Sequence, residues 1–419
     1  MKIAAYLLSF LCLLLNGTLF IRLSPPYNFY LVAFQLFAVG LAPILAVLGA
    51  AGALLGWYSG APVAAAAGLL SAIISIASIF LISAPQPELA TAFGDSWEDA
   101  LSPSQRARLM QSRWRPWLPK TSDPVFEQNV VFWRIPGTDR ELLCDIWQPP
   151  ADVEPSGLAF VYLHGSAWYI LDKDVGTRPL FKQLTNQGHV VMDVSYRLVP
   201  EVDIYGMVGD VKRALAWMKD NARQYGVDPE HVVLGGGSAG GHLALLAAYT
   251  ADDPQLTPVD LQDRDLSVHG VVSLYGPTDL KATYGHLAQE RFIGYPPIEI
   301  GQPGAATMEK NMADAGRLDW LLGGHLQDIP EVYALASPVT HVTPDSPPTL
   351  LIQGEPDVIA PADAARELEA ALVEAGVPVV NVIYPLANHA FDLLFPQISA
   401  PAQSAIYTLE RFLALRIAA

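Results

Sequence analysis

Three long apolar stretches occupy the first 83 residues, at about residues 3–21, 30–55 and 61–82. Each has the roughly 20 apolar residues that a helix needs to cross a bilayer. Turn-forming and aromatic residues lie between them, as is typical of membrane–water interfaces. The pattern predicts three transmembrane helices. The alternative is that the three stretches are buried helices of a water-soluble domain. If they do span a membrane, the absence of charged residues inside them favours an anchor over a transporter.

Short apolar runs alternate with amphipathic ones from residue 121 to the end of the chain, which is typical of strands alternating with helices. Such alternation predicts an α/β domain, with a mostly parallel central sheet and helices on both faces. Residues 281–335 interrupt the pattern with many Gly and Pro residues and no clear strand, which predicts a cap insertion. The predicted strands are at 130–134, 142–147, 158–163, 189–194, 232–234, 268–275, 349–353 and 379–384, and the predicted helices at 207–225 and 362–375.

The predicted organisation is therefore an anchor at 1–83, a juxtamembrane linker at 84–120 and a catalytic domain at 121–419. The linker mixes arginines with Leu109, Trp114 and Trp117, which fits either an interfacial helix or a solvated helix packed on the domain. Lys2 favours an amino terminus in the cytoplasm and a domain on the opposite side. Arg22 and the basic residues of the linker favour the reverse, a domain at the cytoplasmic face, and this is the orientation that we prefer.

Charge is distributed unevenly between the two parts. The chain has 25 Lys and Arg against 42 Asp and Glu, a net charge of −17, and residues 1–83 hold only Lys2 and Arg22. The mean hydropathy of the chain is positive, at +0.27, because residues 1–83 are so apolar. An acidic domain argues against nucleic acid as a partner, because phosphate binding needs clustered cations. The two cysteines, Cys12 and Cys144, give no zinc spacing, so no metal is expected.

The strongest local signal is the glycine-rich turn at residues 235–241, which contains Ser238. An apolar run precedes it and a helical pattern follows it. Gly-x-Ser-x-Gly in the context of strand, turn and helix is typical of a nucleophile elbow, where a serine hydroxyl is exposed on a strained corner. We therefore take Ser238 as a candidate nucleophile.

A serine hydroxyl needs a base to take its proton and an acid to orient that base. In sheets of this kind the order along the chain is serine, acid, histidine. Of the histidines after Ser238, His389 follows the last predicted strand, so it is the candidate base. The acid should follow the strand at 349–353, where Asp357 and Glu355 are available, and we prefer Asp357. His242 is interpreted as a residue on the face of the helix.

The negative oxygen of a tetrahedral intermediate also needs hydrogen-bond donors. The backbone N–H of Ala239, directly after the nucleophile, is the first candidate. The third strand of the domain runs into His164-Gly165-Ser166, where a second loop of donors belongs. Gly165 and Ser166 are therefore predicted to supply backbone N–H groups, and His164 to brace the loop.

These motifs together resemble the α/β-hydrolase fold and, within it, the hormone-sensitive-lipase-like carboxylesterases. The resemblance covers about residues 125–415. Two departures stand out: Ser166 and Ala167 replace glycines that follow the family's first histidine, and Gly237 replaces an acid common before the nucleophile. The extra bulk is expected to narrow the room for esters of tertiary alcohols. The matching motifs are residues 164–168, 195–201, 236–242, 275–280, 354–357 and 388–392.

The resemblance implies hydrolysis of a carboxylic ester through an acyl-serine intermediate, with no cofactor. The expected partners are a small-molecule ester of lipophilic character and membrane lipid around residues 1–83. Two alternatives stay open at this point. One is an amide-directed relative of the peptidase or aryl formamidase type, because the same triad cleaves both bonds. The other, from a different class, is an inactive binding module on a membrane anchor.

Overall fold

The computed structural model describes residues 1–23, 28–288 and 317–418, and its centre is an eight-stranded sheet. The strand order is β1-β2-β4-β3-β5-β6-β7-β8, in which β1, β2 and β4 pair antiparallel and the remaining neighbours pair in parallel. The strands are β1 (Val125–Arg134), β2 (Glu141–Gln148), β3 (Ala159–Leu163), β4 (Val190–Val194), β5 (Val232–Gly237), β6 (Gly270–Leu274), β7 (Thr349–Gly354) and β8 (Val379–Tyr384).

Burial explains why the central strands were visible in the sequence. Every residue of β3, β4, β5 and β6 is buried, because helices cover both faces of a parallel sheet, whose strands are mostly apolar for that reason. The edge strand β1 is mostly exposed and starts five residues before the predicted 130. The register shifts between Glu127 and Val130. The polar residues in this first half give no apolar run, so the sequence pattern does not predict the start of the strand.

Helices flank the sheet on both faces and divide the core into two hydrophobic clusters. Side chains of β3 alternate between the clusters: Val161 packs in one and Phe160 in the other. The predicted helix at 207–225 begins earlier, because Asp203 caps it by accepting from the N–H of Gly206 at 2.9 Å. The flanking helices of the domain are Arg178–Asn186, Ile204–Asn221, Ala239–Tyr249, Ala362–Glu374 and Ala400–Ala418.

Four apolar helices precede the domain: α1 (Lys2–Gly17), α2 (Phe29–Gly40), α3 (Ala42–Tyr58) and α4 (Pro62–Ile82). By length and composition, Lys2–Phe20 and Pro62–Ile82 could each cross a membrane. The stretch predicted as one span at 30–55 is two helices that meet at an angle of 80°. Pro43 lies in the first turn of α3, where its missing N–H and fixed φ favour the start of a new helix.

Two short helices, α5 (Glu88–Phe93) and α6 (Pro103–Arg108), begin the linker. The rest of the linker is an irregular segment that crosses the carboxyl-terminal helix of the domain. The Trp114 indole N–H donates to the Ile398 carbonyl at 2.8 Å, and the Arg115 N–H donates to Gln403 Oε1 at 2.9 Å. Of the two interpretations of this segment, packing on the domain is the one that these contacts favour.

The predicted cap at 281–335 lies only partly within the described residues. Its described parts include three helices. They are Leu280–Ala288, Arg317–Leu322 and Pro330–Leu335, while residues 289–316 lie outside the described part of the chain.

Candidate active site

Ser238 lies at the corner between β5 and the helix Ala239–Tyr249, with φ 53° and ψ −122°. An L-residue rarely adopts this conformation, so the surrounding backbone must hold it. The Ser238 N–H donates to the Leu274 carbonyl at 2.8 Å, which ties the corner to β6. The neighbouring Gly236 has no room for a side chain, because a Cβ there would lie 2.5 Å from the Leu163 carbonyl oxygen.

The structure brings Ser238, His389 and Asp357 together from three loops at the carboxyl ends of β5, β8 and β7. His389 Nε2 lies 2.8 Å from Ser238 Oγ. His389 Nδ1 lies 2.9 Å from Asp357 Oδ2. Because an ionised carboxylate only accepts, the imidazole proton belongs on Nδ1. Nε2 is then free to accept the serine proton.

The Asp357 carboxylate is fixed by donors from its own loop and strand. Oδ2 also accepts from Gln353 Nε2 at 2.9 Å, and Oδ1 accepts from the N–H groups of Ile359 and Ala360 at 2.8 and 2.9 Å. Its side chain is fully buried. Hydrogen bonds from this many donors compensate for the burial of the charge and fix the carboxylate's direction. Gln353 was not recognised from the sequence.

Glu355, the alternative acid, points elsewhere. Its side chain is about half exposed and forms an ion pair with Arg366, which also pairs with Asp363 in the first turn of its helix. The geometry therefore favours Asp357 as the acid of the site.

Asn388 joins the acid and histidine loops, a role that the sequence did not reveal. Its Oδ1 accepts from the N–H of Val358 at 3.2 Å and from the N–H of His389 at 2.8 Å. One buried side chain thus sets the separation of the two loops that carry the acid and the base. The only signal in the sequence was its place directly before the histidine.

Tyr275 and Asp392 form a second connection that sequence reasoning missed. The Tyr275 ring lies 4.8 Å from the His389 ring, centroid to centroid, and its hydroxyl donates to Asp392 Oδ1. Burial raises the pKa of Asp392, and the hydrogen bond from Tyr275 opposes that rise. A Cβ at Gly237 would lie 3.2 Å from the Tyr275 hydroxyl. The tyrosine therefore occupies space beside the position where the resembling family carries an acid.

The loop after β3 lies directly against the elbow. A Cβ at Gly165 would lie 3.4 Å from Ser238 Cβ, so this backbone lies within van der Waals distance of the predicted nucleophile. The Ser166 side chain turns into the core, where its Oγ lies 2.8 Å from the Tyr196 hydroxyl and accepts from the N–H of Trp168. Ala167 and Trp168 have φ of 47° and 70°, so the loop keeps a backbone shape that suits glycine better.

Two buried histidines support this loop. The His164 ring stacks on Tyr196 with centroids 4.5 Å apart. His242 Nδ1 accepts from the Trp168 indole N–H at 3.1 Å, so its proton belongs on Nε2, which donates to the Ala336 carbonyl at 2.8 Å. Burial lowers the pKa of each ring to about 4. Both are placed as supports of the loop rather than as partners of Ser238.

Acid should destabilise the domain through these histidines. Because their folded pKa lies below the ordinary 6.5, the unfolded chain binds protons more readily, so stability is complete above about pH 6.5 and falls towards pH 4. We expect these two rings to lower the Tm between pH 7.5 and 5, while Glu410, whose pKa burial raises to about 8, opposes part of that drop. His242→Gln should have a lower Tm at pH 7.5 but a smaller drop. An equal drop in the variant would contradict the assignment.

Comparison with known proteins identifies the family. The model of the BD-FAE family matches residues 144–372, which is more than half of the chain. The chain belongs to the BD-FAE family. The match begins in β2 and ends in the helix Ala362–Glu374, so it includes the elbow, the loop after β3 and Asp357.

Curated relatives of this BD-FAE chain include two proteins of Mycobacterium tuberculosis. Esterase LipQ is 33% identical over 258 residues, which are 61% of this chain and 55% of LipQ. The probable carboxylic ester hydrolase LipM is 33% identical over 273 residues, which are 64% of this chain and 57% of LipM. The chain thus spans little more than half the length of these relatives.

Solved structures confirm the expected α/β-hydrolase fold. Esterase B from Lactobacillus Rhamnosis is 22% identical with a TM-score of 0.53, and the likeness covers 78% of this chain and 95% of that one. The Est2 esterase of Thermogutta terrifontis with bound butyrate is 23% identical with a TM-score of 0.50, covering 68% and 92%. At these identities the likeness shows the fold alone. The narrower resemblance to hormone-sensitive-lipase-like enzymes stays a prediction.

Proposed function

We propose that this protein is a membrane-anchored serine carboxylesterase. The observation that carries the proposal is the hydrogen-bonded series Ser238, His389 and Asp357, with 2.8 Å between serine and imidazole and 2.9 Å between imidazole and carboxylate. The curated relatives LipQ and LipM, an esterase and a probable carboxylic ester hydrolase, support the same class of reaction.

In the proposed reaction, Ser238 Oγ attacks the carbonyl carbon of the ester while His389 Nε2 takes the serine proton. Asp357 holds the imidazole in the required tautomer and stabilises the imidazolium that forms. The tetrahedral intermediate collapses, the C–O bond to the alcohol breaks, and His389 returns the proton to the leaving oxygen. His389 then takes a proton from water, whose oxygen attacks the acyl carbon. The bond between that carbon and Ser238 Oγ breaks, the acid leaves, and His389 returns the proton to Ser238 Oγ.

The N–H groups of Ala239, Gly165 and Ser166 are the proposed donors to the negative oxygen of both tetrahedral intermediates. Ala239 starts the helix behind the nucleophile, where the helix dipole adds to its pull on an anion. The loop of Gly165 and Ser166 reaches the other side of Ser238. Backbone donors of this kind are worth about 10²–10³ each in kcat.

Anchoring is proposed from the arrangement of the first helices. Apolar side chains face outward: Leu7, Leu11, Leu14, Leu69, Ile73, Ile76 and Phe80. Polar side chains face inward: Ser9, Asn16, Ser71, Ser75 and Ser78. Asn16 Nδ2 donates to the hydroxyls of Ser71 and Ser75, each at 2.9 Å. This distribution suits a hydrocarbon solvent, in which small and polar residues mediate contacts between helices.

The proposed substrate is a lipophilic ester, because an enzyme held at a membrane meets esters that dissolve in it. An amide-directed hydrolase is the second candidate, since the triad chemistry serves both bonds. An inactive binding module would not need the exact series of hydrogen bonds around His389, so the geometry favours an enzyme.

A fluorophosphonate probe tests the reaction class on the detergent-solubilised full-length protein. We expect covalent labelling of the wild type and none of Ser238→Ala, because the probe reacts with an activated serine hydroxyl. With Ser238→Ala as the blank, hydrolysis of p-nitrophenyl esters should persist or rise from acetate to longer acyl chains. Labelling that does not depend on Ser238 would refute the esterase, and a sharp collapse beyond acetate would refute the lipophilic substrate.

A further inference from the structure

Helix α2 is distinct from the other helices of the anchor. With 12 residues, α2 is roughly 18 Å long at 1.5 Å per residue, too short to cross a hydrocarbon core of about 30 Å. It meets α3 at 80°. Helices α1, α3 and α4 instead pack against one another along their lengths. A Cβ at Gly52 of α3 would lie 2.4 Å from Ser9 Oγ of α1, and one at Gly68 of α4 would lie 2.5 Å from the Gly49 carbonyl oxygen of α3.

Helix α2 lies at the domain-facing end of the bundle that α1, α3 and α4 form. Val39 of α2 and Ala42 of α3 lie in the same hydrophobic cluster as Ile82, the last residue of α4, and as side chains of the domain. Gln35 Nε2 of α2 donates to the carbonyls of Thr18 and Ile21, at 2.8 and 2.9 Å, directly after α1. Helix α2 therefore lies across the domain-facing ends of the other three helices.

Helix α2 contacts both loops that carry the acid and the base. We call residues 355–361 the acid loop and residues 385–399 the histidine loop. Val32 packs on Val358, the neighbour of Asp357. The Phe37 ring lies 5.9 Å from the ring of Phe395 in the histidine loop.

The face of α2 that carries Tyr30, Phe34 and Phe37 is apolar and partly exposed, and Phe37 also contacts the histidine loop. Tyr30, Phe34 and Phe37 follow one another at helical spacing, and their exposed fractions are 55%, 50% and 39%. Phe20 and Ile21, just after α1, are also exposed. No charged residue occurs between Tyr30 and Gly40. Phe20, Ile21 and this face are exposed together, so a bilayer around the proposed anchor would also cover them.

We propose that α2 lies in the membrane–water interface, parallel to the bilayer, and seats the acid and histidine loops on the bilayer surface. Esters that partition into the membrane then reach Ser238 directly, without first passing into water. This inference rests on the proposed esterase function for its substrate, but the position of α2 does not depend on it. A helix with one aromatic face in the lipid and the other on protein is the arrangement expected of an interfacial helix.

Depth measurements test the position of α2 directly. Full-length Tyr30→Cys, Phe34→Cys and Phe37→Cys variants would carry an environment-sensitive fluorophore in phosphatidylcholine vesicles. Ile73→Cys in the middle of α4 is the matched control, and the unlabelled background is the parent chain, whose Cys12 and Cys144 are buried. Nitroxides would be placed on the lipid headgroup or at mid-chain.

We expect headgroup nitroxides to quench all three α2 positions more strongly than mid-chain nitroxides, and the reverse at Ile73. A helix entering the bilayer would change depth by roughly 10 Å from Tyr30 to Phe37. Phe37 at the depth of Ile73, or α2 positions quenched only by aqueous iodide, would overturn the proposal.

The functional test compares Phe34→Glu with Val259→Glu, which changes an exposed domain residue. Phe34→Glu should lower the rate on a long-chain p-nitrophenyl ester held in vesicles by about tenfold, because a charge opposes seating on the bilayer. Its rate on soluble p-nitrophenyl acetate should stay within about twofold of the wild type. Val259→Glu should change neither rate.

The possible outcomes separate the two proposals. Equal losses on both esters for Phe34→Glu, or no loss on the vesicle-held ester, would overturn the delivery of substrate from the membrane. A wild type that hydrolyses neither ester would overturn the esterase function, and with it the inference that membrane-dissolved esters are the substrates. The depth measurement would still decide where α2 lies, because it does not require catalysis.

Discussion

Replacing His389 with alanine should lower kcat for p-nitrophenyl ester hydrolysis by about 10⁵–10⁶, as removal of the base does in serine hydrolases with this constellation. The imidazole is the group that faces Ser238 Oγ, at 2.8 Å. Without it the serine hydroxyl has no acceptor for its proton. The residual rate should come from the oxyanion donors and from binding alone.

The two candidate acids extend this series. Asp357→Ala should lower kcat by about 10⁴, because an unsupported imidazole loses its tautomer and its stabilising charge. Glu355→Ala should leave kcat within about threefold of the wild type, since it removes a surface ion pair with Arg366. Both variants replace a carboxylate in the same loop, so the comparison isolates the contact with His389.

Steady-state rates and thermal unfolding of each variant check these expectations together. The Tm of His389→Ala and Glu355→Ala should stay near that of the wild type, which separates lost chemistry from lost structure. A His389→Ala variant that keeps a tenth of the activity would rule out this base. A larger loss in Glu355→Ala than in Asp357→Ala would reverse the choice of acid.

The sheet, and the loop positions of Ser238, Asp357 and His389 after its strands, could be predicted from the sequence for a physical reason. Strands buried on both faces read as continuous apolar runs, and the residues after their carboxyl ends meet at one edge of the sheet. Ser238, Asp357 and His389 each follow such a run, so their order along the chain was informative. The exposed strand β1 gave no such run in its first half, and its start at Val125 was missed.

The supporting polar contacts could not be predicted because they depend on distances between loops that are remote in sequence. Gln353 points back to Asp357 from within a strand, and Asn388 reaches the loop of Val358, 30 residues away. Tyr275 meets Asp392 across 117 residues. An amide or a phenol at such positions has no characteristic spacing, so nothing distinguishes it from an ordinary core residue.

The break between α2 and α3 shows a different limit. Hydropathy averages over about 20 residues and registers no change at Leu41, since both sides are apolar. The signal that was present is Pro43, which restricts the residue before it and favours a new helix start. A proline inside a membrane-spanning pattern is also compatible with a kink. Only the contacts of α2 with the domain decide between a kinked span and a separate helix.

Gly240→Ala should destabilise the domain by about 3 kcal/mol or more, a severe case of overpacking. A Cβ at this position would lie 2.1 Å from the Leu163 carbonyl oxygen and 2.6 Å from that of His164. Both oxygens belong to backbone that leads directly into Gly165 and Ser166, so no side chain can move aside to make room. Relief requires the end of β3 to shift away from the elbow.

This shift gives the variant a second signature in catalysis. Moving the Gly165 and Ser166 N–H groups away from Ser238 should lower kcat by about 10² or more in any protein that still folds. The Tm should fall by roughly 6–12 °C, the size expected for about 3 kcal/mol in a domain of this length.

Gly285→Ala is the matched control. Gly285 lies inside the helix Leu280–Ala288, and among the residues that the structure describes a Cβ there meets nothing within 4 Å. Alanine should leave the Tm unchanged or raise it slightly, because it favours helix over glycine by up to about 1 kcal/mol. A Gly240→Ala variant with the Tm and kcat of the wild type would mean that the loop after β3 does not lie against the elbow. The assignment of Gly165 and Ser166 as oxyanion donors would then fail with it.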